Sequence, residues 1–124
     1  MAFEQPGFKP SSFKAATSLA AKQFYFVEIT AADTVDACNA ATDHPIAVVN
    51  NAPAAGETCE LVSSGITKVK LGGTVTVGAW IGTHTDGTAV AKTTDKDFAA
   101  GRALAAGDAG DIVPMFWCPC FLGV

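Results

Sequence analysis

The stretch that decides the fold is ITKVKLGGTVTVGAWIGTHTDGTAVAK, residues 66–92, where short alternating runs are separated by glycine turns. Apolar and polar residues alternate over residues 66–71 and again over residues 74–83, and this period of two predicts half-buried β-strands. Asp86-Gly87 is the strongest signal for a short hairpin in the chain, and it leads into a third predicted strand over residues 88–92. This part of the chain is therefore predicted to consist of short strands joined by tight turns.

Further short strands are predicted on the N-terminal side of this stretch. They fall at residues 24–29, 34–38, 46–49 and 58–63. The run at residues 46–49 is continuously apolar, which is typical of a buried strand. Ser64-Gly65 predicts a hairpin that joins the strand at residues 58–63 to the one that begins at Ile66.

On the C-terminal side, residues 98–106 fit either a helix or a strand, because their composition suits a helix while Gly101 weakens one. Residues 111–117 predict another strand, and Pro114 inside it indicates an edge strand or a bulge. Strands this short, at intervals of about 8–12 residues, are typical of a small barrel or sandwich. With 124 residues, the chain is predicted to contain one mainly β domain.

The N-terminal residues differ from this β region. Residues 1–22 contain three lysines and one glutamate, a local charge of +2, whereas residues 23–124 contain five basic and eleven acidic groups, a charge of −6. Ser11 or Ser12 is a candidate cap for a short helix over residues 13–22. We therefore predict an extended N-terminal arm over residues 1–22 and a single β domain over residues 23–124. The arm either reaches a neighbouring molecule or is an ordinary frayed terminus.

The composition argues against several classes of protein. A net charge of −4 and an isoelectric point near 4.9 disfavour a dedicated nucleic-acid binder, which normally carries a basic patch. No apolar run approaches the roughly 18 residues that span a bilayer, so no membrane partner is expected. The first residues lack the basic and apolar regions of a signal peptide, so we expect synthesis and retention in the cytosol, or release from it by lysis.

Four cysteines, Cys38, Cys59, Cys118 and Cys120, raise the question of a metal site or a disulfide. The Cys118-Pro-Cys120 spacing is one residue shorter than the usual zinc spacing, and no second close pair completes a tetrahedral site. Disulfides are also rare in the cytosol. We therefore expect buried or half-buried thiols, with no metal and no cofactor.

Other candidate chemistry in the sequence is sparse. His44 and His84 fall at predicted turns, and no recognised nucleophile motif accompanies them. The aspartates lack the spacing of a calcium loop, and the glycines lack the lysine of a phosphate loop. Trp80, on the polar face of its predicted strand, and Phe116-Trp117 suit packing, a sugar platform or a contact between chains. The sequence thus favours a structural or binding module over an enzyme.

A set of short motifs is spread over residues 44–116. They are Pro45-Ile-Ala-Val-Val49, Ala54-Ala-Gly-Glu57, Val69, Gly72-Gly73, Gly78, Asp86-Gly87, Ala100-Gly-Arg-Ala-Leu104 and Ala109-Gly-Asp-Ile-Val113. In their order and spacing, these motifs resemble the small decoration (cement) proteins that stabilise the capsids of tailed bacteriophages.

The resemblance implies a small β-barrel or β-tulip-like domain with no enzymatic activity. It implies a virion protein, made in the host cytoplasm, that binds the outside of an icosahedral capsid and bridges subunits of the major capsid protein. Members of this family are often trimers, so a homotrimer is expected.

The resemblance also implies that the N-terminal arm contacts the capsid or neighbouring subunits. The arm residues assigned to this contact are Phe3, Phe8, Lys9, Phe13 and Lys14. Outside the arm, Trp80, Phe116 and Trp117 are added as candidate contacts with the capsid or between subunits.

Two other functions stay open from the sequence. A carbohydrate-binding or host-surface-binding β module of a virion would use Trp80, Trp117 and Asp86. A small enzyme would use His44 or His84 together with a cysteine.

Overall fold

A computed structural model describes residues 13–123, which form two five-stranded β-sheets. The first five strands build sheet I in the order β1-β3-β2-β4-β5. Their bounds are Lys14–Ala15 (β1), Phe26–Ala31 (β2), Thr34–Ala37 (β3), Ala47–Val49 (β4) and Leu61–Val62 (β5). The pair β1-β3 is parallel, and the other pairs of sheet I are antiparallel. Sheet I therefore uses only the first half of the chain.

The last five strands build the second sheet in the order β6-β10-β9-β7-β8, with every pair antiparallel. Their bounds are Ile66–Lys70 (β6), Trp80–Thr83 (β7), Ala89–Ala91 (β8), Phe98–Ala103 (β9) and Ile112–Phe121 (β10). Just after β6, Leu71 forms a parallel bridge to Ala89 in β8, and the backbone N–H of Gly72 donates to the Ala89 carbonyl oxygen at 2.8 Å. The two outer strands thus meet, so the sheet curls into a barrel, which we call the barrel sheet. The predicted mainly β, barrel-like fold is confirmed.

The largest apolar core lies inside the barrel sheet and is closed by sheet I. Side chains from both sheets contribute to it: Phe26, Cys38, Val48, Val69, Leu71, Val75, Ile81, Ala89, Ala100, Ala103, Val113 and Met115. Two backbone hydrogen bonds join the sheets, from Phe26 N–H to the Gly87 carbonyl oxygen at 2.8 Å and from Lys70 N–H to the Phe24 carbonyl oxygen at 3.1 Å. The burial of Phe26, a large side chain with no exposed area, contributes about 1.5–3 kcal/mol to the joining of the two sheets.

A second apolar cluster covers the other face of sheet I. It consists of Ala15, Leu19, Val27, Val35, Ala37, Ala47, Val49, Cys59 and Leu61. Because neighbouring residues of a strand face opposite sides, Val48 points to the barrel core while Ala47 and Val49 point to this second cluster. The strand predicted at residues 46–49 is therefore buried on both faces, which explains its continuous apolar run.

The helix predicted over residues 13–22 is wrong. These residues form β1 and an irregular segment, and most of their backbone hydrogen bonds go to distant carbonyl oxygens rather than along a helix. Ala15 N–H donates to Glu57, Ala16 N–H to Val35 and Leu19 N–H to Pro53. The weak apolar stripe of this segment instead inserts Ala15 and Leu19 into the second cluster. Residues 1–12 of the predicted arm lie outside the described residues.

Two predictions around the deciding stretch are also wrong. Ser64-Gly65 does not close a hairpin, because β5 pairs with β4 whereas β6 pairs with β10, so this turn carries the chain from one sheet to the other. Residues 74–83 are not one strand, since only Trp80–Thr83 is paired along a ladder. Gly78 has a φ of +83°, and this left-handed turn interrupts the alternation.

The Asp86-Gly87 hairpin between β7 and β8 is confirmed, and so are the strands predicted near residues 34–38, 66–71 and 88–92. Residues 98–106, left open between helix and strand, contain β9. The described residues, 13–123, contain no helix long and apolar enough to cross a membrane.

The strand with Pro114 lies inside the barrel sheet, between β6 and β9, so the predicted edge position is wrong; the strand does contain a bulge, but not at Pro114, which pairs in regular register with Lys68. The bulge lies further along, between Trp117 and Cys120. Pro114 is tolerated because its backbone faces Leu104, one residue beyond the end of β9. Its carbonyl oxygen accepts from Leu104 N–H at 2.9 Å, and the N–H that proline lacks would face the same residue.

Candidate functional site

The outer face of the barrel sheet carries a row of four side chains that lie directly opposite one another. Ile66 in β6 pairs with Phe116 in β10, Phe116 pairs with Arg102 in β9, and Arg102 pairs with Trp80 in β7. Directly opposed residues of neighbouring strands present their side chains on the same face. The row therefore crosses four strands, a span of about 14 Å at the usual strand spacing.

Two further rows extend this surface along the strands. Lys68 lies opposite Pro114, whose carbonyl oxygen accepts from Leu104, and Lys70 lies opposite Ile112. We call the whole surface the outer strip. Its nine members are Ile66, Phe116, Arg102, Trp80, Lys68, Pro114, Leu104, Lys70 and Ile112.

The outer strip exposes large apolar side chains to an unusual degree. Ile66 is 66% exposed, Ile112 51%, Phe116 48% and Leu104 44%. Single exposed apolar residues are ordinary on protein surfaces, but contiguous groups of them are typical of interaction sites. The register of the barrel sheet makes these four contiguous, which marks the strip as a candidate docking surface.

The charge of the outer strip is opposite to that of the chain. Its members include Lys68, Lys70 and Arg102 but no aspartate or glutamate, whereas the whole chain has a net charge of −4. These three are three of the five basic residues in residues 23–124. The strip thus combines apolar side chains with a local excess of positive charge.

Arg102 is held in place at the centre of the strip. Its Nε and Nη2 atoms donate to the Gly78 carbonyl oxygen at 3.0 and 2.8 Å. Its guanidinium carbon lies 4.9 Å from the centre of the Trp80 ring, a cation–π contact. One face of the Trp80 indole is therefore covered by the protein itself, which weighs against stacking of a sugar on that face.

The structure places the sequence-predicted contact residues on different surfaces. Trp80 and Phe116 lie in one row of the outer strip, whereas Trp117 lies one position along and packs partly buried against the barrel core. Phe13 packs partly buried against the second cluster, and Lys14 is exposed in β1.

Three more predicted contact residues, Phe3, Phe8 and Lys9, lie outside the described residues. For all eight residues, contact with a capsid or another subunit stays a prediction.

Sequence reasoning missed much of the outer strip. It did not single out Ile66, Arg102, Leu104 or Ile112, although the alternation over residues 66–71 already set Ile66, Lys68 and Lys70 on one face. These residues form one surface with Arg102 and Phe116 only because β6 pairs with β10 and β10 pairs with β9. That pairing brings β6 next to residues about 35–50 positions later in the chain. Local sequence pattern contains no information on such a pairing.

A second polar group lies on sheet I, where β2 meets the turn that follows β3. Single ligand atoms of Glu28, Cys38 and Asp43 lie within 4.8 Å of one another. Asp43 Oδ2 accepts from the backbone N–H groups of Asn39 and Ala40 at 2.9 and 3.0 Å, so this carboxylate closes the turn that follows Cys38. Its role in that turn accounts for its position without a bound ion.

The pKa shifts of Glu28 and Cys38 fit a structural role. Partial burial, together with the neighbouring Asp43 and Asp36 carboxylates, raises the pKa of Glu28 above its usual value. Burial raises the pKa of the Cys38 thiol to about 12. A thiol that stays protonated near neutral pH is a poor metal ligand and a poor nucleophile.

The cysteines and histidines are distributed through the molecule. All four cysteines are free thiols, with Cys38 and Cys59 buried and Cys118 and Cys120 half-buried. His44 packs against the rings of Phe98 and Phe121, with centroid distances of 4.8 and 5.1 Å. His84 lies next to β7, where its backbone N–H donates to the Thr88 carbonyl oxygen at 2.7 Å. The histidines therefore take part in local packing and turn structure.

Comparison with known proteins identifies the fold but not a family. No protein-family profile matches the chain, and no curated protein matches its sequence. Among solved structures, the fold is similar to the N base of the head fiber protein gp8.5 of bacteriophage phi29, with a TM-score of 0.70. The similarity covers 86% of this chain and 90% of that chain at 18% sequence identity. At this identity the likeness shows a shared fold alone.

Proposed function

We propose that this protein is a non-enzymatic structural component of a phage virion that binds the outer surface of an icosahedral capsid. In this proposal it bridges subunits of the major capsid protein and thereby stabilises the shell. It is made in the host cytoplasm and resides on the capsid exterior as a homotrimer. The observation that carries the proposal is the outer strip, a contiguous apolar and cationic surface on an otherwise acidic domain.

The size of the outer strip supports repeated, symmetric attachment. Its three rows span about 14 Å across the strands and about 13 Å along them, well below the roughly 800 Å² per partner of a standard interface. One strip alone therefore suits the centre of a weak contact. Trimerisation and the repetition of sites on a shell would convert weak contacts into tight attachment through avidity.

The likeness in fold lends independent support. The phi29 protein of similar fold is a head fiber protein, and its matching part is described as the N base. The motifs over residues 44–116 resemble capsid decoration proteins, which also belong to phage heads. Both comparisons favour a role in a virion over one in metabolism.

The N-terminal arm is a second contact in this proposal. Phe3, Phe8 and Lys9 are proposed to bind the capsid or a neighbouring subunit, with the exposed Lys14 beside them at the start of sheet I. Phe13 already packs against the second cluster, so we expect it to anchor the arm to the domain.

The test mixes the full chain with phage heads that lack it. We expect the protein to attach to the heads and raise the temperature at which they rupture. A variant without residues 1–12 should keep its thermal unfolding temperature and lose most of its occupancy on the heads. Unchanged rupture of the heads, together with glycan binding that is lost in Trp80→Ala, would overturn the capsid proposal in favour of a carbohydrate-binding module.

A further inference from the structure

The guanidinium of Arg102 is fixed but not saturated. An arginine side chain has five N–H donors in one plane. The two bonds to the Gly78 carbonyl oxygen use one donor on Nε and one on Nη2. Within residues 13–123 the Nη1 atom makes no hydrogen bond, and the residue is exposed. Three donors of a fixed, planar group, two on Nη1 and one on Nη2, are therefore available to a partner.

The surroundings of Arg102 suit a desolvated contact. Trp80 lies against one side of the guanidinium at 4.9 Å, and Phe116 lies directly opposite on the neighbouring strand. Ile66 continues the row beyond Phe116. A partner that covers this row would exclude water around the guanidinium, and an ion pair shielded in this way by apolar neighbours is stronger than an exposed one.

The geometry also lowers the cost of binding. A flexible arginine loses side-chain entropy when it is immobilised in an interface, about 0.5–1.5 kcal/mol for a side chain rich in rotamers. Arg102 has already lost much of that freedom because two hydrogen bonds and one ring contact hold it. Its planar donors match the two oxygens of a carboxylate.

We infer that the outer strip docks onto an acidic protein surface and that an aspartate or glutamate of the partner binds the free edge of the Arg102 guanidinium between Trp80 and Phe116. The inference rests on the proposed function, in which that partner is the capsid shell. Lys68 and Lys70 add attraction at longer range, which accelerates association. A phosphate polymer fits less well, because a chain with a net charge of −4 repels a polyanion away from the strip.

The first experiment measures binding of the full chain to undecorated heads over a series of NaCl concentrations. We expect affinity to fall as salt rises, because exposed charges are screened. Arg102→Gln should weaken binding about 10-fold or more and flatten the salt dependence, with Arg102→Lys in between. Lys96→Gln removes an exposed cation that does not belong to the strip and is the matched control, with binding unchanged. Thermal unfolding of each variant verifies that the fold is intact.

The outcomes separate the inference from the proposed function. If Phe116→Ser abolishes binding while Arg102→Gln binds like the natural protein, the capsid role stands and the carboxylate partner is wrong. If the natural protein does not bind heads at all, the proposed function fails and a second measurement decides the inference.

The second measurement is an NMR titration with a synthetic peptide of alternating glutamate and leucine. We expect it to shift the Arg102 Nε–H and Trp80 indole N–H signals, with no shift from an alternating lysine and leucine peptide. Absence of the glutamate-dependent shift overturns the inference. Equal shifts from inorganic polyphosphate would overturn the protein partner in favour of a phosphate ligand.

Discussion

The outward faces of the two sheets both carry large apolar side chains, but only one of them is covered by the chain itself. On sheet I, Ala15 of β1 and Leu19 join Val27, Val35 and their neighbours in the second cluster, whose members are at most 7% exposed. On the barrel sheet, the outer strip has no such cover within the described residues, and Ile66 and Phe116 stay about half or more exposed.

This difference separates two uses of the same kind of residue. An apolar face that its own chain covers contributes to folding stability, because the burial occurs in every molecule. An apolar face left open contributes little to the stability of the monomer, and its exposed area is buried only when a partner covers it. Substitutions on the two faces should therefore divide cleanly into those that unfold the protein and those that abolish attachment.

The largest expected effect is on the covered face. Leu19→Ala should lower the free energy of unfolding by about 2–5 kcal/mol, because Leu19 is completely buried and truncation leaves a cavity. Ile66→Ala on the outer strip should change it by about 1 kcal/mol or less, the size of one cross-strand pair. Urea unfolding measures both. Equal losses of unfolding free energy in Leu19→Ala and Ile66→Ala would contradict the difference between the two faces.

A smaller effect is expected where the barrel strands approach each other most closely. A methyl group on Gly101 would lie 2.1 Å from the Phe116 carbonyl oxygen and 3.0 Å from Met115. Gly101→Ala should therefore cost about 1–3 kcal/mol, the usual range for overpacking. It should also weaken attachment to heads, because β10 and the outer strip must shift. A Gly101→Ala variant that is as stable as the natural protein and attaches equally well would contradict both expectations.

The hairpin that follows β7 should respond to pH. Partial burial of Asp86 raises its pKa, but the hydroxyl and backbone N–H of Thr88 more than offset this and hold the pKa below its ordinary value. A carboxylate with a lowered pKa stabilises the fold above its unfolded-state pKa and loses that contribution as pH falls through the folded-state value. Asp86→Ala should cost about 1–2 kcal/mol at pH 7.

Urea unfolding of this variant at several pH values tests the sign. The difference between Asp86→Ala and the natural protein should shrink toward acidic pH. A difference that is constant with pH would contradict the assigned hydrogen bonds.

The smallest effect is expected at Glu28 in β2 of sheet I, away from the outer strip. The pKa of Glu28 is raised, so its protonated form is favoured in the fold, and the associated stability is lost as pH rises through the folded-state value. Glu28→Gln mimics that form and should stabilise the protein at pH 7 by a few tenths of a kcal/mol, the size of an exposed charge interaction.

The gain from Glu28→Gln should vanish at pH values below the unfolded-state pKa of glutamate, where Glu28 is protonated in both states. Attachment to heads should not change, since Glu28 lies on sheet I. Destabilisation at pH 7 would indicate that the Glu28 charge has a partner that the described contacts do not include.

Local patterns predicted much of the β structure but little of its assembly. The Asp86-Gly87 hairpin and the buried run at residues 46–49 were predictable, because their residues determine local conformation directly. The Ser64-Gly65 turn has the residues of a hairpin, yet it joins two sheets, because β5 pairs with β4 and β6 pairs with β10, which is distant in the sequence. Likewise, residues 13–22 do not form the predicted helix, because a helix of this length is only marginally stable and the observed conformation buries Leu19.

The candidate site was likewise predictable in part: the residue types were found from the sequence, but their assembly on one surface was not. Trp80 and Phe116 were predicted as contact residues from their type and position in alternating strands, and they do lie in one row. Arg102, which joins them, was not predicted, because β9 had no clear strand pattern and its register is set by distant partners. Trp117 was named with Phe116, yet adjacent strand residues face opposite sides, so it packs inward.

Occupancy on heads tests the central claim most directly, and Phe116→Ser should be compared there with Ile29→Ser. Both side chains are large, apolar and about half exposed, Phe116 on the outer strip and Ile29, at 54%, on sheet I. Neither change should unfold the protein. We predict that Phe116→Ser loses most of its occupancy on undecorated heads while Ile29→Ser attaches like the natural protein. Equal occupancy of the two variants would contradict the assignment of the outer strip as the docking surface.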